Sequence, residues 1–103
     1  MSYVLGNIVK QSLLSLSLTP AAVDASTWIE QTFTVNGLQV GDHVSIDKPS
    51  VLTGLSIVGQ RVSAANTLAI TFLNVTASPI TPGTGTYLVL LTRPDRTITD
   101  GNI

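Results

Sequence analysis

The stretch Val62-Ser63-Ala64-Ala65-Asn66-Thr67-Leu68-Ala69-Ile70-Thr71-Phe72-Leu73-Asn74 constrains the fold more than any other part of this chain. It reads as the end of one β-strand, a tight turn at Ala64-Ala65-Asn66, and a return strand. Along the return strand Leu68, Ile70 and Phe72 point one way, and Thr67, Ala69 and Thr71 point the other. A period of two places alternate side chains on opposite faces of a sheet, so the pattern is that of a strand buried on one face. Asparagine tolerates the left-handed backbone that a tight turn often demands, which suits Asn66 to its place.

The same alternation recurs along the chain. From Ser12 to Leu18, Leu14, Leu16 and Leu18 are set against Ser15 and Ser17, and Thr19-Pro20 ends the run. From Trp28 to Val35, the residues Ile29, Phe33 and Val35 face inward while Trp28, Glu30, Thr32 and Thr34 face outward. Asn36-Gly37 is a strong hairpin signal. Gly41-Asp42 makes a second turn, and Val44 and Ile46 form a short strand closed by Lys48-Pro49. Gly54 to Val62 is the next strand. Ser78-Pro79 and Pro82-Gly83-Thr84-Gly85 bracket a loop, and Tyr87 to Thr92 is a final apolar strand. Turn signals at intervals of about 8–12 residues are those of a sandwich or barrel. No helix-length window shows a 3.6-residue period.

The expected fold is all-β: an antiparallel β-sandwich, or jelly-roll, over residues 10–94. Its expected core holds Leu16, Phe33, Val35, Val44, Ile46, Val62, Leu68, Ile70, Phe72 and Val89. Residues 1–9 read as an N-terminal arm, and residues 95–103 as a polar C-terminal tail. A chain of 103 residues makes one domain, long enough to bury roughly 65% of its unfolded surface without cross-links.

Composition narrows the function classes. With no cysteine there is no disulfide framework, zinc–thiolate site or thiol nucleophile. A net charge of −1 offers no electrostatic handle for nucleic acid or anionic lipid. Serine and threonine interrupt every apolar run before the ~20 residues a membrane helix needs. Lys10 follows the short N-terminal apolar stretch instead of preceding it, so no signal peptide is read there. Yet only 11% of residues are charged against 44% hydrophobic, and mean hydropathy is +0.41. A surface this poor in charge implies cover by another chain.

Catalytic chemistry finds no constellation. His43 is the lone histidine, and its neighbour Asp42 would point to the opposite face of a strand. The carboxylates Asp24, Glu30, Asp42, Asp47, Asp95 and Asp100 are scattered. Gly83-Thr84-Gly85 lacks the lysine and helix of a phosphate loop. Asn74-Val75-Thr76 matches the glycosylation sequon, a pattern short enough to arise by chance. The expectation is a protein that is not an enzyme, with no catalytic residues, metal, cofactor or small-molecule substrate.

One resemblance adds to this reading. Glu30-Gln31-Thr32-Phe33-Thr34-Val35, Gly37-Leu38, Val40-Gly41-Asp42, Val44, Lys48-Pro49, Gly54-Leu55, Ile57-Val58, Arg61 through Asn74 and Ile80-Thr81-Pro82 resemble small virion proteins of tailed bacteriophages. That group is associated with capsid decoration, or cement, proteins of β-sandwich fold. The resemblance covers about residues 30–94 and rests on turns and core positions, so it supplies no catalytic residues. It implies a protein assembled in the bacterial cytoplasm and residing on the outer surface of the phage head. Its partners would be the major capsid protein and itself, as a homotrimer before a dimer. Interface contacts are expected from Tyr3, Val4, Leu5 and Ile8 of the arm, from Trp28 and from Arg93. The competing readings are a tail or head-fibre module and a carbohydrate-binding sandwich. Five aromatic residues give the last little to build with.

Overall fold

The computed structural model describes residues 8–48 and 52–94. Six strands follow one another: β1 (Ile8–Leu18), β2 (Thr27–Thr34), β3 (His43–Asp47), β4 (Leu55–Ala64), β5 (Thr67–Asn74) and β6 (Gly85–Pro94). They form two antiparallel three-stranded sheets, ordered β1-β6-β3 and β2-β5-β4. The sheets face each other across one core. Leu18, Val44, Tyr87, Val89 and Leu91 come from the first, and Leu55, Val62, Leu68, Ile70 and Phe72 from the second. This is the sandwich expected from the alternation. The eight strands of a jelly-roll are not present among the described residues.

Each expected strand is found, with ends moved by a few residues. β1 starts at Ile8, which pairs with Pro94, so Ile8 and Val9 belong to the strand and not to an arm. Of the ten expected core residues, seven are buried, and Leu16, Phe33 and Ile46 pack against them half-buried. Ile29 faces inward as read but lies near the rim, and is exposed.

The turn signals were correct in place and partly wrong in role. Ala65-Asn66 joins β4 to β5 as a hairpin, with Asn66 at a φ of 59°. Asn36-Gly37 is a turn but makes no hairpin, because β2 pairs with β5 in one sheet and β3 with β6 in the other. The left-handed glycine (φ 99°) reverses the chain, but local backbone preference carries no information about which strand pairs next. The turn instead docks on the β4–β5 hairpin. The Asn66 side-chain Oδ1 accepts from Gly37 N at 2.8 Å, and Asn66 N donates to the Leu38 carbonyl at 2.9 Å.

The far end of β5 is held by a second asparagine. Asn74 is fully buried, and its Nδ2 donates to the carbonyls of Val23 (3.1 Å) and Ser78 (2.8 Å). Its Oδ1 accepts from the Thr76 amide at 2.9 Å and from Thr76 Oγ1 at 2.7 Å. Both amide hydrogens are engaged, so Asn74 is a clamp joining the Val23 segment to the Thr76–Ser78 turn, and the sequon is structural. Gly54 packs beside this clamp at a φ of 84°, where an added Cβ would run into Thr76 Cγ2.

Candidate functional site

Two ion pairs organise the polar residues. On the outward face of the β2-β5-β4 sheet, Arg61 donates from Nε and Nη2 to the two Glu30 carboxylate oxygens, each at 2.9 Å. Arg61 is opposite Ala69 in register and Glu30 is opposite Thr71, so the pair reaches diagonally over β5. Ala69, on the outward side of β5, is fully buried. The alternation alone would have left it exposed.

The second pair is internal. Asp42 carries only 2% side-chain exposure and accepts from Arg93 Nε at 2.8 Å and Nη2 at 2.9 Å. Arg93 Nη2 also donates to the Gly37 carbonyl at 2.9 Å. The Arg93 hydrogen bonds hold the Asp42 carboxyl below its ordinary range, outweighing the upward push of burial. His43 is exposed and faces away from this pair. Tyr87 is buried with its hydroxyl donating to the Gly83 carbonyl at 3.3 Å, and Lys48 Nζ lies 5.3 Å from its ring centroid. Burial pushes the Tyr87 phenol up.

The expected contact residues are not gathered in one place. Tyr3, Val4 and Leu5 lie outside the described residues. Ile8 is half-buried at the start of β1. Arg93 is at the same end of the sandwich, turned inward and committed to Asp42 and Gly37, which gives it a job within the fold. Trp28 stands at the opposite end, outward on β2 beside Leu73 in register, and is 66% exposed.

A surface that the strand reading did not single out lies on the outward face of the β1-β6-β3 sheet. Leu13 of β1 is 68% exposed and sits directly opposite Leu90 of β6, itself exposed, with half-buried Leu88 two residues along. Gln11, Ser15 and Ser17 of β1 and Thr86 and Thr92 of β6 surround them. The titratable groups facing this side are His43 and Asp47, both on β3. The sequence signal was present. Tyr87-Leu88-Val89-Leu90-Leu91 is apolar without alternation, the pattern of a strand covered on both faces. A two-layer sandwich covers only one.

A cleft of about 240 Å³ opens between β3 and β4, lined by Ile46, Lys48, Leu52, Leu55, Ser56, Ile57 and Phe72. It is smaller than the roughly 300 Å³ at which small-molecule sites begin. Among the described residues no three His, Asp or Glu side chains are grouped to hold a metal ion. Comparisons of the chain with protein-family models, curated proteins and solved structures find no match.

Proposed function

We propose that this chain is a virion structural protein of a tailed phage, a decoration protein that binds the outside of the head and stabilises its shell. The observation that carries the reading is the apolar, charge-poor outward face of the β1-β6-β3 sheet around Leu13, Leu88 and Leu90. An apolar patch within a polar rim is the form of a protein-contact surface. Exposed Trp28 on the other sheet supplies a second anchor of the residue type enriched at interfaces. A rigid sandwich bridging two capsid subunits adds buried area at a seam, and icosahedral repetition multiplies that gain. The role needs no catalytic residue or cofactor.

The test is addition of purified protein to heads from the phage that encodes it. Saturable occupancy in fixed proportion to the major capsid protein, with a raised shell melting temperature, is expected. Leu90→Lys should lower occupancy at least tenfold without changing the melt of the free protein. Failure to bind heads would overturn the reading, and binding to tails would replace it with the fibre module.

A further inference from the structure

We infer that two copies of this chain pair along the outer edge of β1, antiparallel, about a twofold axis at Leu13. β1 is an edge strand: its one partner among the described residues is β6. No hydrogen bond from another described segment reaches its other side. Unpaired edges invite association, and proteins blunt them with charges, prolines, bulges or short strands. The other three edges carry such devices. β3 is five residues long and bears His43 and Asp47, β4 is interrupted by two register shifts, and β2 carries Glu30. β1 is the longest described strand, at 11 residues; its one register shift lies at its very start, between Ile8 and Lys10, and it runs regularly for the nine residues from Lys10 to Leu18. It has no proline, and its only charge is Lys10.

The strand is also self-complementary. Its midpoint is Leu13, its most exposed apolar residue among those the structure describes. Antiparallel pairing centred there sets Leu13 against Leu13, Lys10 against Leu16, Ser12 against Leu14 and Ile8 against Leu18 of the second copy. Within the regular stretch from Lys10 to Leu16 every pair joins side chains of the same face, as strand geometry requires; Ile8 lies beyond the register shift. The two Lys10 side chains stay ~20 Å apart, six positions along the ladder. Leu90, Leu13, Leu13 and Leu90 then form one apolar stripe across a continuous six-stranded sheet.

A second observation concerns the inner side. Across the core β3 comes close to β4, whereas β1 and β2 make no comparably close approach. There Leu14, Leu16 and Phe33 are half-buried and Ile29 is exposed, with Gln31 bridging to the Ala21 backbone at 2.8 Å. A twofold at β1 brings the two β2 strands together beneath the joined edge and covers these residues. A ring of three would need β1 to pair with a different edge, and each of those offers a shorter uninterrupted run than the nine residues from Lys10 to Leu18. The structure therefore favours twofold over threefold association.

The chain has no cysteine, so Leu13→Cys introduces a single thiol that faces its twin across the axis, at a separation a disulfide can span. Sedimentation of the unaltered protein should show a dimer. Leu13→Cys should cross-link under mild oxidation at least tenfold faster than Val40→Cys, placed on an exposed turn. Leu13→Lys should sediment as a monomer with its strand circular-dichroism spectrum retained. If that variant does not fold, the cross-linking contrast alone decides. A monomer or trimer of the unaltered chain, equal cross-linking at the two positions, or a folded Leu13→Lys variant that remains dimeric would each overturn the proposal.

Discussion

The two sheets treat their central strands differently. β5 alternates, with Thr67, Ala69, Thr71 and Leu73 on its outward side, whereas β6 is apolar on both sides over Tyr87 to Leu91. Over β5 the Glu30–Arg61 pair spans Ala69, and Trp28 stands beside Leu73. Over β6, Leu88 and Leu90 have only Leu13, serines and threonines beside them. Long charged side chains can roof a sheet by laying their apolar stems along it. The β1-β6-β3 sheet has none in that position. One sheet covers the middle of its central strand with its own side chains, and the other leaves that surface to a partner.

The sharpest way to break this contrast is to damage the self-contained sheet. Phe72→Ala should cost about 3–5 kcal/mol in urea unfolding, because Phe72 is fully buried between the layers. A loss below ~1 kcal/mol would mean that β5 is not the keystone of the core. Asn74→Ala should cost about 2–4 kcal/mol, since a fully buried side chain and its four hydrogen bonds to Val23, Ser78 and Thr76 are lost together. Mass spectrometry after expression in a glycosylating host should find Asn74 unmodified in folded protein.

Asp42→Ala should cost about 1.5–3 kcal/mol at neutral pH, and its effect depends on acidity. Because the folded carboxyl titrates below the ordinary value of 3.8, its contribution is complete above that value. It is lost as pH falls through the lower folded value. Acid unfolding curves of the parent and Asp42→Ala should therefore converge in that window, and parallel curves would assign the coupling elsewhere.

Substitutions on outward faces come last. Leu90→Ser and Trp28→Ser should each alter the monomer's stability by no more than about 0.5 kcal/mol, while reducing association. Smallest of all is Glu30→Ala, whose effect should fade with added salt because Arg61 is largely exposed and Glu30 about one-third so. A large effect that resists salt would show the pair to be structural in its own right.

Much of this was legible in the residues. Alternation located all six strands, turned Trp28 outward and identified Leu68, Ile70 and Phe72 as core, because burial on one face writes a period of two into the sequence. What escaped notice was settled by residues far apart in the chain. Asp42 meets Arg93, and Asn74 meets Val23, only after the sheets assemble. Nothing near either residue announces its partner. Asn36-Gly37 revealed its turn but not that the chain crosses to the other sheet there. Leu13 and Leu90 broke their alternation openly, and the meaning of that break needed the layer count. The expected contacts at Tyr3, Val4 and Leu5 lie outside the described residues.

The pairing of β1 with β6 also sets an order of events during synthesis. β4 and β5 are joined by two residues and can zip as soon as both have left the ribosome. β1 emerges earlier than any other described strand, but its only described partner is the one that emerges last, with Leu18 awaiting Gly85 and Ile8 awaiting Pro94. Contacts so distant in sequence form late and slowly. The least protected strand of the protein is thus the one left waiting longest, on both of its edges, while neighbouring copies are being made on the same message.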